Sequence, residues 1–138
     1  MLYCTRRKGK MLKNKRFGII SLGCDKNRVD TEKLIGFLKE NGCQTTNDLA
    51  KAQILIINTC AFLQSAREEA INTILECADY KSGNLEKLVV TGCLPQKFVD
   101  ELYEPLLEAD VFLGINDYEK IFEALEESYQ KGNRPNFV

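Results

Sequence analysis

A run of four large aliphatic residues, Ile-Leu-Ile-Ile at positions 54–57, constrains the fold of this chain more than any other feature. A strand that is apolar on both faces is typical of a parallel sheet covered by helices on both sides. Residues 53–58 are therefore predicted to form an interior strand of such a sheet. Apolar runs at residues 16–21, 87–91 and 110–113 predict further strands.

Segments with helical spacing separate these strands. Helices are predicted at residues 28–40, behind a capping box at residues 65–68, at residues 95–103, and from Asn116 to about residue 129. A short strand at residues 43–46 would follow the first helix. This alternation predicts an α/β, flavodoxin-like fold with four to five mainly parallel strands, helices on both faces and the strand order 2-1-3-4-5.

The composition is that of an ordinary globular domain. Of the 138 residues, 44% are apolar and 28% are charged, and no apolar run approaches the roughly 20 residues that a membrane-spanning helix needs. The basic start is not followed by the apolar segment of a secretory signal. The six cysteines lack the dense spacing of a disulfide scaffold, which favours a location in the reducing cytoplasm.

Charged residues are distributed unevenly along the chain. Residues 1–16 hold seven of the 19 basic residues, and all 20 acidic residues follow them. A basic segment of this kind can contact nucleic acid, but a disordered extension is the favoured interpretation, and Met11 is an alternative start. The predicted organisation is a disordered basic extension at residues 1–15, a folded domain at residues 16–130 and a linker at residues 131–138.

Three of the six cysteines, Cys24, Cys60 and Cys93, follow predicted strands. Parallel strands end at one edge of a sheet, so these cysteines are expected to be neighbours there. The chain has no histidine, and thiolate ligands favour zinc or an iron–sulfur cluster. Three thiolates suit a [4Fe–4S] cluster with one open iron, whereas closed zinc needs a fourth ligand, from Cys43, Cys77 or a carboxylate. Cys77 is a predicted core residue, and Cys43 is a predicted small apolar residue of the short strand at residues 43–46. Buried free cysteines, with no shared metal site, remain an alternative for the three strand-end cysteines.

Three motifs change the balance between these alternatives. They occupy residues 23–32 (Gly-Cys-Asp-Lys-Asn-Arg-Val-Asp-Thr-Glu), 58–60 (Asn-Thr-Cys) and 91–96 (Thr-Gly-Cys-Leu-Pro-Gln). Together they resemble the amino-terminal domain of the methylthiotransferases, radical S-adenosylmethionine enzymes that replace C–H by C–SCH3. The resemblance implies that one cysteine of each motif ligates an auxiliary [4Fe–4S] cluster implicated in supplying sulfur. These metal-binding, cofactor-binding residues are Cys24, Cys60 and Cys93.

The first motif also bears on the substrate. Lys26-Asn27 and the Val-Asp-Thr-Glu of residues 29–32 are similar to the RimO-like branch, which modifies an aspartate of a small-subunit ribosomal protein. Asp25 and Thr31 depart from that branch, which has proline and serine there. The alternative is the branch that modifies tRNA. The resemblance therefore implies a ribosomal-protein substrate as partner.

The radical S-adenosylmethionine signature Cys-x-x-x-Cys-x-x-Cys is absent from the sequence. S-adenosylmethionine and a second [4Fe–4S] cluster are therefore expected only in a radical domain joined in cis, and this chain is expected to hold no catalytic residue. Two other classes remain as alternatives. A stand-alone flavodoxin-like binding or regulatory domain would lack its usual Gly-rich phosphate loop, and a redox module would lack a Cys-x-x-Cys pair.

Four polar residues flank the motif cysteines: Asn27, Asp30, Asn58 and Thr59. Their side chains could bond cluster sulfurs or hold the loops around a cluster. Helix capping and turn formation explain the same residue types equally well. The sequence leaves these two interpretations open.

Overall fold

The computed structural model describes residues 15–22, 25–40, 42–59, 64–92, 108–114, 120–131 and 136–137. Its strands are β1 (Arg16–Ser21), β2 (Gln44–Thr46), β3 (Ile54–Thr59), β4 (Lys87–Gly92), β5 (Val111–Leu113) and β6 (Asn136–Phe137). Its α-helices are α1 (Asp25–Glu40), α2 (Gln64–Ala78) and α3 (Ile121–Lys131). Short 3-10 turns at Leu49–Lys51 and Asp79–Ser82 precede β3 and β4. The predicted helix at residues 95–103 and the cap at Asn116 lie outside the described residues.

The strands of the described segments form one parallel sheet in the order β2-β1-β3-β4-β5-β6. This confirms the predicted fold class and the order 2-1-3-4-5. The two-residue strand β6 was not predicted, since it falls in the segment expected to be a linker. It pairs with β5, with Asn136 beside Phe112 and Phe137 beside Leu113.

Strand β3 lies in the interior of the sheet, with β1 on one side and β4 on the other. All six of its residues are buried. Successive side chains of a strand point to opposite faces, so Ile54 and Ile56 enter one core while Leu55 and Ile57 enter the other. The prediction that the aliphatic run is buried on both faces is confirmed.

Helices cover both faces of this sheet. Helices α1 and α3 supply buried residues to the first core, which they share with β1, β3, β4 and β5: Leu34, Leu38, Ile121, Phe122, Ala124 and Leu125. Helix α2 supplies buried residues to the second core: Ala70, Ile74 and Cys77. The interior strands of the sheet are thereby removed from water on both sides, as is typical of a parallel sheet.

The end of α1 shows why the chain reverses there. Gly42 has φ of 80°, in the left-handed region that glycine adopts most easily. Its N–H donates to the carbonyl of Lys39, and the N–H of Cys43 donates to the carbonyl of Leu38. These bonds satisfy carbonyls that the end of a helix leaves open, and they direct the chain into β2.

Lys15, the last residue of the predicted extension, has two contacts with the domain. Its Nζ lies 2.8 Å from Glu86 Oε1 and 5.3 Å from the centre of the Tyr129 ring. The remaining residues of the extension lie outside the described part of the chain. Within that part, no helix has both the length and the apolar character needed to cross a bilayer.

Candidate metal centre at the carboxyl edge of the sheet

The three motif cysteines lie outside the described residues, but the chain on one side of each is described. Strand β1 ends at Ser21, three positions before Cys24. Helix α1 begins at Asp25, directly after Cys24. Strand β3 ends one position before Cys60, and β4 ends one position before Cys93. All three cysteines therefore follow strand ends, as predicted.

The register of the sheet brings these strand ends together. Ser21 pairs with Asn58, Asn58 pairs with Thr91, and Thr59 pairs with Gly92. Neighbouring strands lie about 4.8 Å apart, so the outer two of these three strands are only about 10 Å apart. The points from which the chain leaves for its three motif cysteines thus lie at one edge of the sheet, on adjacent strands. That edge is where open α/β sheets bind ligands.

A layer of buried polar side chains lies just inside this edge. The Thr59 hydroxyl donates to the Thr91 carbonyl at 2.7 Å, and the Thr91 hydroxyl donates to the Gly114 carbonyl at 3.3 Å. Both threonines are fully buried. Because buried hydroxyls need partners, these bonds stabilise the relative positions of β3, β4 and the end of β5. The observed bonds support the loop-holding interpretation of Thr59.

Asn58 and Thr31 form a second buried polar contact at this edge. Asn58 Nδ2 donates to Thr31 Oγ1 at 3.1 Å, and the two residues are 1% and 8% exposed. The contact explains how threonine can stand where the RimO-like branch has serine, because both residues supply the hydroxyl. The side chains of Asn27 and Asp30, the other polar residues of the motif, lie outside the described part of the structure.

Gly92 is a further element of the edge. Its φ is 102°, and an added Cβ would lie 2.5 Å from the Thr59 carbonyl oxygen and 2.6 Å from Asn58 Oδ1. Only glycine fits such a close approach of two strands. Neither Gly92 nor Thr31 had a predicted role at the site. A glycine at the end of a strand, directly before a motif cysteine, was the available signal for Gly92.

The two cysteines that the structure describes lie away from this edge. Cys43 and Cys77 are buried and divided between the two cores on opposite faces of the sheet. Burial, followed by the charge of Glu76, raises the pKa of the Cys77 thiol, which disfavours the thiolate that a metal requires. The prediction of Cys77 as a core residue is confirmed, whereas Cys43 is buried one position before β2 and not within the strand. The described residues contain no group of three or more potential metal-binding side chains.

Known proteins similar to this chain agree with the motifs. A family model described as "Uncharacterized protein family UPF0004" matches residues 16–114. The protein named ribosomal protein uS12 methylthiotransferase RimO from Clostridium tetani is 48% identical over 119 residues, which cover 86% of this chain and 27% of the relative. The protein of the same name from Acetivibrio thermocellus is also 48% identical, over 88% of this chain and 27% of the relative.

A third relative of that name, from Clostridium perfringens, is 50% identical over 80% of this chain. The chain spans about a quarter of the length of these relatives. The family match covers β1 through β5, and so includes the sheet edge and all three motif cysteines. The chain therefore belongs to the UPF0004 family, as an amino-terminal methylthiotransferase domain of the type that its cysteine motifs indicated.

Proposed function

We propose that this chain binds an auxiliary [4Fe–4S] cluster through Cys24, Cys60 and Cys93, within an enzyme that adds a methylthio group to an aspartate of ribosomal protein uS12. The observation that carries the proposal is the register of β1, β3 and β4. It places Ser21, Asn58 and Thr91 side by side, at the points where the chain departs for its three motif cysteines.

The residues of this edge fit a cluster held by three thiolates. The chain has no histidine, and thiolates are the ligands that iron–sulfur clusters use most. A cluster with three protein ligands would supply an iron with an open coordination position, at which chemistry could occur. The chain's own contribution would be to hold three thiolates on a rigid sheet edge between two apolar cores.

The substrate assignment rests on the relatives and on the first motif. The relatives are named for methylthio transfer to ribosomal protein uS12, and Lys26-Asn27 matches their branch. The chemistry of S-adenosylmethionine would require a radical domain with its own [4Fe–4S] cluster, joined in cis. The chain itself would then be a cluster carrier without a catalytic residue, acting in the cytoplasm where ribosomes are found.

Anaerobic reconstitution with iron and sulfide tests the cluster. The chain should take up about four irons and acquire the broad visible absorption of iron–sulfur charge transfer. Replacing Cys24, Cys60 or Cys93 by alanine should abolish most of this uptake, because each substitution removes one ligand.

Cys77→Ala is the matched control for these substitutions. It should retain the iron and cost about 1 kcal/mol of stability, a typical penalty for a point mutation. Equal iron loss in Cys77→Ala and Cys60→Ala would refute the three-cysteine site. Iron uptake that persists in all three motif variants would refute it as well.

The substrate is tested in the full-length protein that contains this domain. Cells that express it should carry a methylthio group on the uS12 aspartate, detected by mass spectrometry of the ribosomal protein. The same protein with Cys60→Ala should leave uS12 unmodified. A methylthio group found on tRNA instead, with uS12 unchanged, would overturn the substrate assignment and favour the tRNA branch.

A further inference from the structure

Asn58 contacts the segments that lead to all three motif cysteines. It lies in β3, two positions before Cys60, and is 1% exposed. Its backbone pairs with Ser21 on one side and with Thr91 on the other. No other strand of the described sheet has both of these neighbours, so Asn58 occupies the centre of the candidate site's inner wall.

Asn58 holds both sides of the loop that carries Cys24. Its carbonyl accepts a hydrogen bond from the N–H of Leu22, the last described residue before that loop, at 2.9 Å. Its side-chain Nδ2 donates to Thr31 Oγ1 at 3.1 Å, on the helix that begins directly after the loop. A helix rises about 1.5 Å per residue, so Thr31 lies only about 9 Å along α1 from its start. Anchoring Thr31 therefore fixes the position at which α1 begins.

Asn58 also packs against the residue that leads into Cys93. A Cβ built on Gly92 would lie 2.6 Å from Asn58 Oδ1, so the amide group fills the space above the glycine. The glycine permits this approach because it has no side chain. One amide side chain thus contacts the helix that follows Cys24 and the strand that precedes Cys93, while its own strand leads into Cys60.

We propose that Asn58 is a positioning residue that sets the spacing of the three thiolates, with Thr31 as its partner. This inference rests on the proposed cluster site. The contact is buried, so removing one partner leaves a polar group without the hydrogen bond that burial demands. Groups that orient metal ligands typically account for about 10- to 100-fold in metal affinity. Loss of the Asn58–Thr31 bond should therefore make the cluster labile before it unfolds the chain.

Two substitutions break the bond from opposite sides. Asn58→Leu keeps the approximate shape and removes the donor, and Thr31→Val removes the acceptor. Thr31→Ser retains the hydroxyl and is the conservative rescue. Leu125→Ala, in the buried part of α3, is the control for lost stability alone because Leu125 belongs to the core rather than to the edge.

The first measurement is the rate at which a ferrous chelator removes iron from the reconstituted chain. Asn58→Leu and Thr31→Val should lose iron about 10-fold faster than the unmodified chain, and Thr31→Ser should match that chain within about twofold. Leu125→Ala should lower the melting temperature and leave the rate of iron loss nearly unchanged. Iron loss in Asn58→Leu at the unmodified rate, or equally fast loss in Leu125→Ala, would overturn the proposal.

The second measurement needs no cluster. In a chain that retains only Cys24 and Cys60, a short bifunctional thiol reagent, dibromobimane, should bridge the two thiols and become fluorescent. Adding Asn58→Leu should reduce the fluorescence toward that of a chain retaining only Cys43 and Cys77, which lie in separate cores.

The two measurements separate the failure of this inference from failure of the proposed function. If bridging in the two-cysteine chain requires Asn58 but the chain with all its cysteines takes up no iron, the positioning role is upheld and the cluster is refuted. Bridging that is indifferent to Asn58 would refute the positioning role whether or not iron binds.

Discussion

Gly92 shows how much a single residue decides at this edge. Its φ of 102° lies in a region that residues with side chains rarely adopt, and three atoms of β3 lie within 2.8 Å of the position of an added Cβ. Two of those atoms belong to the backbone of Thr59, which is held by a buried hydrogen bond to Thr91 and cannot easily give way. The residue before Cys93 is therefore restricted to glycine by both its conformation and its surroundings.

Gly92→Ala should destabilise the chain. The forced backbone conformation alone should cost about 1–3 kcal/mol, and the contact with β3 should add to it. Urea unfolding at neutral pH measures the change. The matched control is Gly36→Ala in α1, where an added Cβ meets nothing within 4 Å. That substitution should stabilise the chain by up to about 1 kcal/mol, because alanine is the better helix former. Equal effects at the two glycines would contradict this account.

At the scale of elements, a polar cluster joins the start of β1, the start of β4 and helix α3. Tyr129 of α3 donates its hydroxyl to Glu86 Oε1 at 2.6 Å, and Lys15 Nζ reaches the same oxygen at 2.8 Å. The amine of Lys87 lies 5.0 Å from the centre of the Tyr129 ring, a cation–π contact. Burial, followed by the hydrogen bond to Glu86, raises the pKa of Tyr129, so its hydroxyl stays a donor. This polar cluster lies at the end of the sheet where the strands begin, opposite the candidate site.

The Glu86 carboxylate should make stability depend on acid pH. Burial raises its pKa, but the hydrogen bonds from Lys15 and Tyr129 and the charges of Lys15 and Lys87 outweigh this effect and lower it below the ordinary 4.5. Because the pKa of Glu86 is lower in the folded chain than in the unfolded chain, the ionised carboxylate stabilises the fold at pH values above its unfolded pKa. This stabilisation is lost as the pH falls below about 4.5 toward the folded pKa. The carboxylate is 37% exposed, so the contribution should stay below about 1 kcal/mol.

Urea midpoints of the unmodified chain and Glu86→Gln, measured from pH 7 to pH 3, test this expectation. The two curves should be separated by a constant amount at neutral pH and should converge below about pH 4.5, where the carboxylate becomes protonated. A separation that grows as the pH falls would contradict the direction of the shift. Added salt should shrink the separation at neutral pH, because it screens the exposed pair with Lys15.

At the scale of the whole molecule, the sheet carries both the stability and the candidate site. Its interior strands β3 and β4 are buried almost throughout, whereas β2 is largely exposed at the opposite edge from β6. The strand that leads to Cys60, β3, is thus a central strand buried along its whole length. A cluster held at its end would be anchored on the part of the chain that opens least often.

Native-state hydrogen exchange should show this gradient. The amides of β3 and β4 should exchange slowest and approach the rate set by global unfolding, because both are six-residue interior strands that are buried almost throughout. The amides of β2 and β6 should exchange fastest among the strands. Equal protection of β2 and β3 from exchange would contradict the expectation that the interior strands open less often than the outer ones.

Local patterns in the sequence determined the architecture. The Ile-Leu-Ile-Ile run predicted the interior strand, and the bounds of β1 agreed with the apolar run at residues 16–21. The sequence also predicted Cys77 as a core residue, and its motifs identified the family later found by comparison. Each of these features leaves a periodic or contiguous signal, because burial repeats every two residues in a strand and every 3.6 in a helix.

Tertiary structure alone decided which residues meet. Asn58 contacts Thr31 from 27 positions away, and Lys15 contacts Glu86 from 71 positions away. The positive φ of Gly92 and the pairing of β6 with β5 likewise depend on strands that are distant in the chain. Such contacts follow from the register between strands, which arises when the whole sheet assembles. A local pattern reports whether a residue is buried, but it carries no record of its partner across the sheet.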